Sequence, residues 1–229
     1  MGRNERTNLK RRFFPACPAR PALPALLCIV LAAACSSQPP SAGNEAAQVA
    51  AGRTQKDLEF QNAPDGQPVP VKRRAELLPL AYFAIDPSYN VAAILRPAAD
   101  RKTMMMPTSV GAQREMRRVG SLEFNLKGRP LKLTAFVEVG APNVDHLFVP
   151  FSDMTSGTET YAAGRYLDLD RNATGVYMID FNRAYHPYCY YNPTFDCPYP
   201  PAENRLPLPI HAGERVKKNE ELAAPPSHP

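Results

Sequence analysis

Apolar and polar positions alternate most clearly over residues 121–139. Leu122, Phe124 and Leu126 alternate with Glu123 and Asn125, and Leu131, Leu133, Ala135 and Val137 alternate with Lys132, Thr134 and Glu138. "KGRP", with Gly128, separates the two runs. A period of two on both sides of a glycine turn predicts a β-hairpin with one buried face. Shorter runs predict further strands at "NVAAILR" (90–96), "KTMMMP" (102–107), "HLFVPF" (146–151), "RYLDLD" (165–170), "VYMIDF" (176–181) and "RLPLPI" (205–210). Proline cannot donate to a central ladder, so Pro207 and Pro209 put the last run at an edge. Helix is signalled only weakly, around Gln55–Glu59 and Arg73–Leu78. Many short strands with Pro and Gly in the gaps indicate an all-β, mainly antiparallel fold, a single sandwich or partly open barrel.

The flanks change this picture. A basic stretch ending in "LKRR" precedes the apolar run Ala22–Ala34, which is too short to span a bilayer and ends in small residues. Residues 1–34 therefore read as a signal peptide. "LAAAC" places Cys35 directly after three alanines. This resembles the lipobox of bacterial lipoproteins, and the resemblance implies a lipid on Cys35 and attachment to a membrane. Ordinary signal cleavage is the alternative. Residues 35–56 are small, polar and Pro-containing, and read as a flexible tether. One β-rich domain then occupies residues 57–213, and the charged, Pro-rich residues 214–229 read as a disordered tail.

Charge narrows the partners. The whole chain has a formal charge of +5, but Arg3, Arg6, Lys10, Arg11, Arg12 and Arg20 stand against Glu5 in the leader. Removing these six from 27 basic residues, and the one acid from 22, leaves 21 of each. The remainder lacks the basic excess that neutralises phosphates, so no nucleic-acid partner is expected.

The candidate chemistry lies between residues 165 and 204. Tyr185, Tyr188, Tyr190, Tyr191, Phe195 and Tyr199 crowd one Pro-rich, irregular segment together with Cys189 and Cys197. An exported chain meets an oxidising compartment, so these thiols are expected to form a disulfide. With His186 they could contribute to a metal site. Structural zinc needs four ligands, however, and this spacing matches no standard finger, so no metal or cofactor is assigned. Ser156 lacks a nucleophile-elbow frame and reads as part of a turn. Arg165 offers a planar fork suited to an anionic group, or an internal salt bridge to Asp180 or Glu203. Tyr166, Asn182, Tyr185 and Asn204 complete a candidate ligand-binding set. Asp180 and Glu203 are the candidate acid and base should the protein be a hydrolase.

"LFVPFSDMTSGTETYAAGRYLDLD" and "IDFNRAYHPYCYYNPTFDCPYPPAENRLPLPIHAGE", with the upstream "YFAIDPSYNVAAILRP" and "GSLEFNLKGRPLKL", resemble the bacterial and archaeal family known as domain of unknown function 1684. The similarity covers roughly residues 80–214. The family has Asn where this chain has His186. The resemblance implies a shared scaffold or site and no particular reaction. The reading at this level is an exported, lipid-anchored cell-envelope protein that binds a polar small molecule or sugar. The alternatives are a hydrolase, or an assembly role against another envelope protein.

Overall fold

The computed structural model of the chain describes residues 42–100, 102–140 and 145–217. The signal peptide, Cys35 and the start of the expected tether lie outside the described residues, as do positions 218–229. Seven strands form one sheet: β1 (Asn90–Pro97), β2 (Thr103–Pro107), β3 (Gln113–Leu126), β4 (Arg129–Glu138), β5 (His146–Phe151), β6 (Arg165–Asp170) and β7 (Val176–Asp180). The order is β6-β5-β4-β3-β1-β7, with β2 also paired to β3, and every ladder is antiparallel. The outer strands β6 and β7 approach each other, so the sheet nearly closes as a barrel.

The β3–β4 hairpin follows the alternation. Phe124 faces Leu131 and Leu122 faces Leu133 across the ladder. Lys127 (φ 51°) and Gly128 (φ 76°) make the turn. Two successive positive φ angles match the twist of the strands they join. Strand β3 begins eight residues before the start of its alternating run, at Gln113. Its register on β4 shifts between Arg118 and Gly120. Before the shift β3 pairs with β2, and after it with β1. Gly120 permits the second contact, because a Cβ there would sit 2.3 Å from the Arg96 carbonyl oxygen.

The core packs the inward faces of the strands, including Leu122, Leu133, Ala135, Leu147, Val149, Phe151 and Ile179, against Phe181, Leu206, Ile210 and Ala212 from the chain after β7. The expected edge strand at 205–210 does not form. Ser152 and Arg205 make one isolated parallel bridge. Beyond it the segment is extended and attached by scattered bonds, such as Leu206 N–H to Ser152 O at 2.8 Å and Met154 N–H to Leu208 O at 3.3 Å. Pro207 and Pro209 have no N–H to continue a ladder. Their neighbours Leu206, Leu208 and Ile210 are buried instead.

The expected boundaries also move. Residues 42–56 belong to helix α1 (Ala42–Asn62), not to a tether. Ala, Gln, Arg, Lys and Glu favour helix even without an apolar stripe. Val49 and Phe60 are buried, and Arg53 Nη1 donates to Phe83 O at 3.0 Å. Helix α2 (Val71–Leu77) follows. At the far end Glu214 is 2% exposed and Val216 6%, so the chain stays folded past the expected boundary at 213.

Gly120→Ala is expected to lower the urea midpoint by the equivalent of about 1–3 kcal/mol, because strand backbone would have to move. Gly43→Ala, in α1 with no atom within 4 Å of the new Cβ, is expected to raise it by about 0.5–1 kcal/mol.

Candidate functional site

The Tyr/Pro segment does fold back onto β6. Tyr166 N–H donates to Tyr185 O at 2.8 Å, and Tyr185 N–H returns a bond to Tyr166 O at 3.1 Å. The Tyr166 hydroxyl donates to Pro198 O at 2.5 Å. Arg165 begins the same strand and is fully buried. Its guanidinium meets neither Asp180 nor Glu203. Nη2 pairs with Asp153 Oδ2 at 2.9 Å and donates to Ile210 O at 2.8 Å, while Nη1 donates to Glu214 O at 3.1 Å and to Ala212 O. Asp153 Oδ1 in turn accepts from Thr155 N–H, the Thr155 hydroxyl and Ile210 N–H. Burial lowers the Arg165 pKa and the Asp153 charge opposes that shift. Arg165 is therefore a structural clamp with no path to a ligand.

The amides are structural as well. Asn204 is fully buried, bonding β4 through Thr134 N–H and O and β5 through Pro150 O. Asn182 bridges the backbone of Asp86 to the Asp180 carboxylate. The two candidate catalytic acids are held apart in function. Asp180 ties its own turn through Asn182 and pairs with Arg183 at 3.3 Å, whereas Glu203 pairs with Arg118 at 2.6 Å. Glu203 borders a cavity with Arg205 and Leu206 that Asp180 does not line, and neither acid lines the cleft described below.

The expected disulfide is absent. Cys189 and Cys197 are both free and buried. Cys189 N–H points at Cys197 Sγ at 3.2 Å, and the two thiols hydrogen-bond each other. That bond raises the Cys189 pKa and lowers Cys197 to about 7. The segment keeps its shape without a covalent staple. Cys197 N–H donates to Ser109 Oγ and Tyr199 N–H to Pro107 O. His186 turns away from the thiols. Its Nε2 accepts from Tyr161 N–H at 3.3 Å and its Nδ1 lies 3.7 Å from Glu214 Oε2.

The accessible chemistry collects elsewhere. A cleft of about 570 Å³ is lined by α1, by Phe148, Tyr166 and Asp168 of the β5–β6 ladder, and by the run from Tyr185 to Pro198. Tyr166 and Tyr185 of the expected ligand set lie in it; Arg165, Asn182 and Asn204 do not. The Tyr185 hydroxyl donates to Asp168 Oδ2 at 2.6 Å. Asp168 is open to solvent within the cleft yet closely surrounded by protein, and this crowding raises its pKa against the opposing bond from Tyr185. Lys56 enters from α1, 4.9 Å from the Tyr185 ring centroid and 5.1 Å from that of Phe60. Its ammonium pairs with buried Glu214 at 2.5 Å. Glu214 also accepts from His186 N–H at 2.8 Å and from the Tyr191 hydroxyl. Burial would raise the Glu214 pKa, but Lys56 and the other donors leave it lowered.

A family model described as protein of unknown function (DUF1684) matches residues 76–215. The chain belongs to this family. It is also similar to the uncharacterized protein from gene locus rrnAC0354 of Haloarcula marismortui, solved in solution by NMR. Identity is 34%, the match covers 78% of this chain and 97% of that one, and the TM-score is 0.62. A search of curated proteins gave no match. The family span contains Asp153, Arg165, Tyr166, Asp168, Tyr185 and Glu214 but not α1. Asp168 was legible from sequence, because it stands two places from Tyr166 on a strand and so shares its face. Lys56 and Glu214 lay in stretches that read as tether and tail.

Arg165→Ala is expected to cost about 3–5 kcal/mol, because Asp153 would remain buried without its cation. In urea melts Arg165→Ala/Asp153→Ala should cost less than the sum of the single changes. His186 supplies a pH signature. Burial, against the pull of Glu214, holds its pKa down from 6.5 to about 3. The unfolded chain therefore takes up a proton below 6.5 that the folded chain refuses. Stability from this group is full above pH 6.5 and falls by about 1.4 kcal/mol per unit toward pH 3. Urea melts of His186→Asn across this range should show a slope shallower by that amount.

Proposed function

We propose that the protein is a binding module for a polar small molecule and that the cleft between α1 and the Tyr/Pro segment is its site. The observation that carries this reading is the shared position of Tyr166, Tyr185 and Asp168. These residues converge on one open cavity, of a size typical of small-molecule sites. A hydrolase built on Asp180 and Glu203 gains no support, since each acid is paired with its own arginine, neither lines the cleft, and the cavity beside Glu203 is not lined by Asp180.

The chain is read as exported and held at the cell envelope by a lipid on Cys35, on the strength of the basic, apolar and small-residue order of residues 1–35. The charge balance of the remainder supports a partner other than nucleic acid. Native mass spectrometry of the protein purified without denaturation is expected to show a retained small molecule, lost in Tyr185→Ala. Retention unchanged by that substitution would move the site elsewhere. Cys35→Ser is expected to shift the protein from the membrane to the soluble fraction, and continued sedimentation with membranes would refute the anchor.

A further inference from the structure

The aromatic residues of the cleft meet edge to face. Phe148 and Tyr166 cross at 78° with centroids 4.7 Å apart, and Tyr166 and Tyr185 at 87° and 5.8 Å. In a second group Phe60 and Tyr188 cross at 75° and 6.1 Å, and Tyr188 and Phe195 at 78° and 5.3 Å. All six rings line the cavity. Rings at right angles make the walls of a box. They do not make the flat platform on which a sugar or a nucleobase would stack.

The charges in the same cavity are uneven. Lys56 and Arg114 both line it, but Lys56 is neutralised by Glu214 at 2.5 Å and Arg114 by Asp196 at 3.1 Å. Asp168 and Glu59 also line it, and neither forms an ion pair with a described residue. Asp168 stands directly across the β5–β6 ladder from Phe148 and accepts a single hydrogen bond, from Tyr185. A box of rings with an accessible carboxylate on one wall is the arrangement that stabilises an organic ammonium ion, through the negative ring faces and one Coulombic contact. The protein already uses this chemistry internally, where the Lys56 ammonium lies over Tyr185 and Phe60.

The geometry points to a small organic cation, an amine or quaternary ammonium compound, as the ligand class of this cleft, with Asp168 as its counter-ion and the six rings as its walls. This inference rests on the cleft being the binding site and names what that site selects. The probes are choline, its neutral isostere 3,3-dimethylbutan-1-ol, and inorganic phosphate. Each is titrated into the full-length protein while the aromatic side-chain resonances are followed by NMR. Choline is expected to bind at least tenfold more tightly than the isostere. Asp168→Asn should reduce the difference several-fold while the thermal unfolding midpoint, recorded on the same sample, stays close to the parent's. Equal binding of choline and isostere would overturn the cationic ligand and leave the cleft standing as a binding site. Preferential binding of phosphate would overturn it in favour of the Lys56 and Arg114 side. Failure of all three probes to bind would also overturn it. Whether the cleft binds small molecules at all would then be decided by the retained mass and its loss in Tyr185→Ala.

Discussion

One buried guanidinium organises the stretch of chain that follows the Tyr/Pro segment. Arg165 collects the carbonyls of Ile210, Ala212 and Glu214, spaced two residues apart along an extended stretch. This stretch follows two prolines and, apart from one isolated bridge between Glu214 and Tyr82, joins no ladder that would satisfy its acceptors. A single planar cation with five N–H groups supplies what a missing ladder would have supplied. Asp153 then fixes the guanidinium, and the same carboxylate accepts Ile210 N–H from the segment being held. Desolvating such a pair is expensive, and buried pairs of this kind are poor evidence of net stability. Their effect here is geometric: they admit one path for residues 205–214.

That path places Glu214. Gly213 has φ 78°, and a Cβ there would lie 2.5 Å from Ala184 O, so only glycine lets the chain pass and turn. Glu214 N–H bonds Ala184 O at 2.9 Å, and its side chain enters the interior beside Tyr191, His186 and Lys56. The carboxylate is what holds the Lys56 ammonium of α1 against the Tyr185 ring. A residue with no access to the cleft, Arg165, thereby sets the position of a residue in its wall, through the backbone of residues 212–214 and one ion pair.

The parts of the structure that were legible in the sequence were those governed by neighbours. Alternation located β3 and β4, and short apolar runs located the other five strands, because period two is a local consequence of burying one face. The parts that were not legible depend on distant chain. Arg165 was expected to meet an acid of the Tyr/Pro segment, since that segment had lost its donors. The carbonyls it meets belong instead to residues 210–214, beyond that segment, and the acid comes from the turn at Asp153, twelve residues before the arginine. Only Gln55–Glu59 of helix α1 was signalled, and the rest read as tether, because the helix lacks a continuous apolar stripe. It is attached through Arg53, Lys56 and Asp57, whose partners Phe83, Glu214 and Leu80 all lie beyond the helix. Cys189 and Cys197 were brought together as expected, but their segment is fixed by backbone bonds to Ser109 and Pro107. A staple is therefore not what gives it shape.

The division of labour among the charges follows from this. The cations that approach the cleft are engaged by carboxylates fixed in the fold: Lys56 by Glu214, and Arg114 by Asp196. The carboxylates that remain, Asp168 on β6 and Glu59 on α1, face the open volume with no structural duty beyond the bond from Tyr185 and one from Gln55. A cavity whose positive charges are internally neutralised and whose negative charges are not presents a negative field inside aromatic walls, although residues 35–229 as a whole are balanced. The charge that the cleft presents therefore comes from which side chains the fold has already paired, not from the composition of the chain.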